Sequence, residues 1–232
     1  MINKNLVISV FFLIFTTFLY SQDSTFFPLS KGTKWTYKGN VKWQEVDNPA
    51  VFDSTIIWEV KVVDVYKGNN FIAAELEGSL GDLTFYERGR KPEKYIIISA
   101  GNKYYSVTED NPGPDKTMKK IKDSSIVPAD IISGAEILLK NPLKLNDVIY
   151  AYTDSLTFPQ YAWLVNGVNN TLLREIIGVN PTEKRDVCEM TYKTNPDITI
   201  VDFSPGIGII NFIYEHRGSA SSCDMKLIMF ER

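Results

Sequence analysis

From residue 33 onward the chain alternates apolar and polar side chains, or runs β-branched and aromatic, in short segments. These cover 33–43, 54–66, 71–80, 82–88, 93–100 and 103–108 in the first half. In the second half they cover 147–152, 161–166, 172–179, 185–193, 198–203, 207–216 and 222–231. A period of two is the pattern of a strand with one face buried. Turn-forming residues separate the segments: Lys67-Gly68-Asn69-Asn70, Gly89-Arg90-Lys91-Pro92 and Gly101-Asn102. Connections of this length cannot hold crossover helices, so the strands pair antiparallel. The predicted fold is all-β, built from curved antiparallel sheets as a half-barrel or sandwich. At most one short helix is predicted, over 128–140. Segments 95–98 and 207–213 are apolar on both faces. Each must be covered twice, or one face must line a cavity.

The first residues break this pattern. Lys4 precedes an apolar run from Leu6 to Tyr20, interrupted by Ser9, Thr16 and Thr17. As a helix the run is about 22 Å long, short of the ~30 Å bilayer core. It suits the apolar region of a signal peptide, with the small Ser21 before the cut and Gln22 as the new N-terminus. No cysteine stands near that junction, so lipid attachment is not expected. Residues 1–21 are therefore read as a signal peptide, and the chain as exported to the periplasm or beyond. No later run is long enough to span a membrane as a helix.

The remainder reads as one β-rich domain, 22–232, in two pseudo-repeats of about 22–117 and 135–232 joined by 109–134. An offset of 114 residues places Pro28-Leu29 on Pro142-Leu143. It also places Val62, Val63 and Val65 on Ile176, Ile177 and Val179, and Ala73–Leu76 on Val187–Met190. Convergent strand patterning gives the same signal without duplication.

Chemistry-bearing residues are sparse. The net charge of −3 gives no electrostatic reason to bind nucleic acid. His216 is the only histidine, which removes multi-histidine metal sites and most catalytic triads. Pro205-Gly206-Ile207-Gly208 contains Gly-x-Gly, but an apolar strand follows it and not a helix whose N-terminus could face a phosphate. Pro205 and Gly206 instead suit the centre of a type II turn, with Gly208 at a bulge or close backbone approach. Glu109–Asp115 is rich in oxygen ligands but lacks the spacing of a calcium loop. Lys116, Lys119, Lys120 and Lys122 read as a solvated surface. Neither a metal nor a cofactor is expected.

Cys188 and Cys223 both fall on inward strand faces, either as a disulfide or as two buried thiols. Trp35, Tyr37, Trp43, Trp58 and Trp163 serve either as core or as a sugar-stacking platform. Glu75 and Glu189, equivalent under the offset, are the carboxylate pair a glycoside hydrolase would use. Ile210, Phe212 and Tyr214 share one strand face by alternation and are the candidate lining of an apolar ligand site.

Phe27-Pro28-Leu29-Ser30-Lys31-Gly32-Thr33-Lys34-Trp35-Thr36-Tyr37 and Phe203-Ser204-Pro205-Gly206-Ile207-Gly208-Ile209 carry a resemblance, with Tyr214 and Met225-Lys226-Leu227. They resemble uncharacterised secreted β-sheet proteins of bacterial envelopes, which start with Pro-Leu-x-x-Gly-x-x-Trp-x-Tyr and end with a Pro-Gly-x-Gly hairpin. A more distant, fold-level likeness is to LolA/LolB-type carriers, whose curved sheet shields lipid chains. The resemblance implies a β-rich envelope protein and carries no catalytic residue over. The expected function is non-catalytic: a binding or structural module that takes an apolar small molecule or an envelope component. The alternative is a carbohydrate-active hydrolase or a glycan-binding surface protein.

Overall fold

In the computed structural model, which describes residues 26–45, 50–107, 113–124, 128–133, 135–150 and 162–232, the alternation produces a single twelve-stranded antiparallel sheet. The first six strands are β1 (Lys34–Gln44), β2 (Val51–Lys67), β3 (Phe71–Glu77), β4 (Lys94–Ala100), β5 (Lys103–Val107) and β6 (Glu136–Lys140). The second six are β7 (Val148–Tyr150), β8 (Ala162–Leu172), β9 (Lys184–Lys193), β10 (Asp197–Ser204), β11 (Gly208–His216) and β12 (Ser222–Glu231). The signal-peptide reading falls on residues outside those described, as does most of the Glu109–Asp115 loop.

Each half is a meander in which every strand pairs with the next, and β1 pairs with β12 to join the halves. The sheet runs from β6 through β1 and β12 to β7, so β6 and β7 are its edges. Only residues 141–147 separate them, and the sheet curls until they approach each other. The result is a nearly closed barrel. Among the described residues no ladder joins β6 to β7, but Lys140 and Asp147 form an ion pair of 2.9 Å across the gap.

The 114-residue offset relates residues of the two meanders. It carries β3 onto β9, the third strand of each half. It also carries 62–65, within β2, onto 176–179, which lie outside the named strands. There Ile177 bonds β12 through its own amide to the Ile228 carbonyl and through its carbonyl to the Phe230 amide. β6 belongs to the first meander, so the connection over 113–133 lies inside that half.

The predicted helix over 128–140 is corrected. A helix occupies only Pro128–Ile132 (α2), and Glu136–Lys140 is the edge strand β6. A longer helix, α1 (Pro114–Lys122), forms in the lysine-rich stretch read as wet surface. Pro114 opens it, Asp115 sits in its first turn, and three lysines sit in its last turn, as the helix dipole favours. Its Met118 and Ile121 are three apart and thus on one face. They pack on Ala73, Ile96 and Ile98, on the outer side of β3 and β4. This is the second cover that the doubly apolar 95–98 segment requires, since Ile97 points into the barrel core. Burial of each large apolar side chain stabilises by roughly 1.5–3 kcal/mol.

Segment 82–88 was predicted as a strand and is not one. Gly78 takes φ +90°, and a 3-10 turn follows at Leu80–Leu83. The Trp58 indole donates to the Gly78 carbonyl at 3.2 Å. Farther on, Phe85 packs edge-on against His216 at 4.8 Å and Tyr214 at 5.7 Å. Because β1 and β12 stand between β2 and β11 in the sheet, this segment reaches from the β3 side across to β11 as a plug that buries Leu80 and Leu83 in the core and leaves Phe85 half exposed. Leu80 and Leu83 are apolar because they pack into the core, not because they form a ladder.

Candidate functional site

The inward side chains of this barrel are mostly aromatic and aliphatic. Trp35, Leu76, Ile97, Met190, Phe203 and Met225 are almost fully buried. They do not fill the interior completely. A cavity of about 420 Å³ remains between the halves, within the ~300–1,000 Å³ range of small-molecule sites. Phe27, Trp35 and Tyr37 bound it from the N-terminal side, Leu80 and Thr84 from the plug, and Met190, Val201 and Phe212 from the second meander.

Of the three residues expected to line an apolar site, Phe212 does. Ile210 and Tyr214 do not, while Ile209 takes a place in the wall. The cause is a β-bulge. Asp202 pairs with Asn211 and Phe203 with Ile209, which leaves Ile210 as the extra residue. An extra residue inverts alternation on one side of it, so Ile209 joins the face of Phe212. The bulge also frees the Ile209 carbonyl to accept from the Tyr37 hydroxyl at 2.8 Å. Tyr214 is buried beside the plug and donates its hydroxyl to Asp197 at 2.9 Å.

The turn before β11 fixes one end of the wall. The Ile207 amide donates to the Ser204 carbonyl at 3.0 Å, with Pro205 and Gly206 between them and Gly206 at φ +81°. A left-handed backbone strains any residue with a Cβ, and a branched one most. Gly206→Val should therefore cost more than about 1 kcal/mol. A urea midpoint that falls, at unchanged slope, by that free energy divided by the slope is the expected result. Gly208, at φ +111°, has no room for a Cβ beyond 3.0 Å from Phe27 and 3.1 Å from Trp35.

The chemistry of the remaining candidates is quiet. Cys188 and Cys223 are free, buried thiols. They sit on β9 and β12, three strand spacings or about 14 Å apart along the sheet, beyond the ~7 Å that a disulfide spans. The disulfide alternative is corrected accordingly. Burial pushes the Cys223 thiol up to about 12 and also raises Cys188, so neither is an activated thiolate. His216 Nδ1 lies 3.4 Å from Asp197 at the end of β11, against the Phe85 ring.

Glu75 and Glu189 are not brought together. Their neighbours Ala74, Leu76, Cys188 and Met190 belong to the inner core, so both carboxylates point outward. They stand on β3 and β9, six spacings apart in the sheet. Glu75 is buried under α1 and pairs with Lys94 at 3.0 Å, while Glu189 is exposed. Trp35, Tyr37, Trp43 and Trp58 are buried, and Trp163 is half-buried on the cavity wall. They build the core and the cavity, so no exposed sugar-stacking platform is formed from them.

The cavity's polar fittings were not legible in the sequence. Glu136 of β6 and Trp163 of β8 both line it. Burial raises the Glu136 carboxyl above the usual carboxylate range. Trp163 Nε1 is buried without a hydrogen-bond partner. The signal that points to Glu136 is a carboxylate at the start of an apolar five-residue strand.

No family model matches the chain, and no curated protein matches it. Among solved structures, it is similar to a candidate exported protein with a YmcC-like fold from Bacteroides fragilis. That match has 11% identity, covers 90% of this chain and 99% of the other, and has a TM-score of 0.43. It is also similar to a candidate lipoprotein from Parabacteroides distasonis, with 10% identity, 89% and 98% coverage and a TM-score of 0.43. Likeness at this level assigns neither an activity nor a ligand.

Proposed function

We propose that this chain is an exported, non-catalytic protein of the cell envelope that holds an apolar or lipid-like molecule inside its barrel. The observation that carries the reading is the cavity of about 420 Å³, walled mainly by aromatic and aliphatic side chains from both meanders. Water in a hollow of this kind finds few polar partners on its walls, so an apolar body that displaces it is favoured. The interior thus shields an apolar body from water, which is the physical task of a carrier. The resemblance to LolA/LolB-type carriers expected from the sequence adds no more than analogy, because fold does not fix function.

The test is uptake of an uncharged environment-sensitive fluorophore such as N-phenylnaphthylamine. The wild-type protein should enhance and blue-shift its emission with a saturable dependence. Val201→Phe, which projects a ring into the cavity, should abolish that signal while circular dichroism stays unchanged. Phe212→Ala should weaken uptake more than it lowers stability. An unresponsive fluorophore would leave a structural module as the reading.

Export is tested separately. The intact mass of the protein recovered from outside the cytoplasm should lack residues 1–21, starting at Gln22. Among the described residues no helix is long and apolar enough to cross a membrane.

A further inference from the structure

The polar groups of the cavity narrow what can occupy it, and this step rests on the ligand-binding reading above. Among the described residues the wall contains no lysine, arginine or histidine. It contains one carboxyl group, Glu136, and one indole N–H without a partner, Trp163 Nε1. Glu136 stands on edge strand β6. Trp163 stands on β8, paired with Ile149 of edge strand β7. The two therefore flank the β6/β7 gap from either side. The other polar wall groups include the hydroxyls of Ser79, Thr84, Ser106 and Thr199, all neutral.

Head-group classes can be sorted against this set. An anionic head would lose its hydration with no cation to offset it, and it would meet a carboxyl group. A cationic head would satisfy Glu136 but offer nothing to the Trp163 donor, because an ammonium has no acceptor. A hydroxyl or amide head both accepts and donates. It fills the unmet bond of Trp163 and keeps Glu136 hydrogen-bonded without placing a net charge in the barrel. We propose that the cavity selects an uncharged amphiphile, an apolar chain whose hydroxyl or amide head sits at the β6/β7 gap between Trp163 and Glu136.

The experiment is displacement of N-phenylnaphthylamine from the full chain at a mildly alkaline pH. Dodecanol, dodecanoate and dodecylamine are compared as competitors that share one chain length. Dodecanol should displace at a concentration about tenfold lower than either charged competitor. Trp163→Phe should raise the dodecanol concentration needed by roughly fivefold once it is referred to that variant's own fluorophore affinity. Glu136→Gln, which removes the charge and keeps the shape, should narrow the gap between dodecanol and dodecanoate by at least about threefold. Dodecanoate or dodecylamine displacing as well as dodecanol, in a protein that takes up the fluorophore, would overturn the head-group assignment and leave the carrier reading standing. A wild-type protein that takes up no fluorophore would overturn the carrier reading beneath it. If Trp163→Phe disturbs the fold, the Glu136→Gln comparison decides alone.

Discussion

Trp35→Ala is expected to lower stability by roughly 3–5 kcal/mol, a large share of the ~5–15 kcal/mol that holds a domain together. Trp35 is 1% exposed and is the second residue of β1. Its indole donates to the Ile207 carbonyl at 2.5 Å, which ties β1 to the Pro205–Gly206 turn 172 residues away. Its ring stacks on Phe27 at 5.8 Å and lies 6.1 Å from Phe230. One side chain therefore joins the N-terminal segment, the first and last strands and the turn before β11. Truncation removes that packing, enlarges a hollow that already exists, and leaves a buried carbonyl unpaired. Trp35→Phe should recover most of the packing and lose the hydrogen bond, costing about 1–2 kcal/mol. Urea denaturation of the two variants separates the contributions. A loss below about 1 kcal/mol for Trp35→Ala would contradict this account of the junction.

Gly39→Val should be comparably severe for a different reason. Gly39 lies within β1 and pairs with Met225 of β12 on one side and Ile56 of β2 on the other. A Cβ there would lie 1.9 Å from the Asp224 carbonyl oxygen and 2.8 Å from the Met225 Cα. These are backbone atoms, and β12 cannot retreat freely because Asp224 and Met225 also pair with Ile213 and Phe212 of β11. Relief requires parting the β1/β12 ladder, the joint between the meanders. The cost should reach or exceed the upper end of the roughly 1–3 kcal/mol typical of overpacking. Gly101→Ala is the comparison. Gly101 has φ +60° but open space around its Cβ position, so it reports backbone strain alone, about 1 kcal/mol. Thermal melts should place Gly39→Val well below Gly101→Ala. Equal melting temperatures would mean that the joint is looser than described.

The strands were legible because most of them have one face in the core, and burial imposes a period of two. The doubly apolar run at 95–98 even announced a second covering layer, though not which residues supply it. Helix α1 was hidden because it buries only Met118 and Ile121 under a coat of lysines. Strand β6 was read as helix because Glu136–Lys140 is too short an apolar run for periodicity to decide. The plug misled in the opposite direction, since anchoring Leu80 and Leu83 in the core demands apolar residues as a strand does. At the cavity, Phe212 faces the wall as alternation along its strand expects, and its role toward a ligand is a proposal. Ile210 was misplaced because one bulged residue inverts a face, and a bulge is set by the partner strand. Glu136 and Trp163 are far apart in sequence, and only closure of the sheet places them on one wall.

The gap between β6 and β7 makes this barrel mechanically different from a fully laddered one. Parting any other neighbouring pair of strands breaks a row of interstrand hydrogen bonds, each worth about 1 kcal/mol net. At β6/β7 no ladder joins the described residues, and the ion pair across the opening, Lys140 with Asp147, is partly exposed, a class of interaction worth about 0–1 kcal/mol when solvated. The molecule behaves as a split ring. Its ring is open at one place while the other eleven joints are laddered, and that place is flanked by Glu136 and Trp163, where the head of the proposed amphiphile would sit.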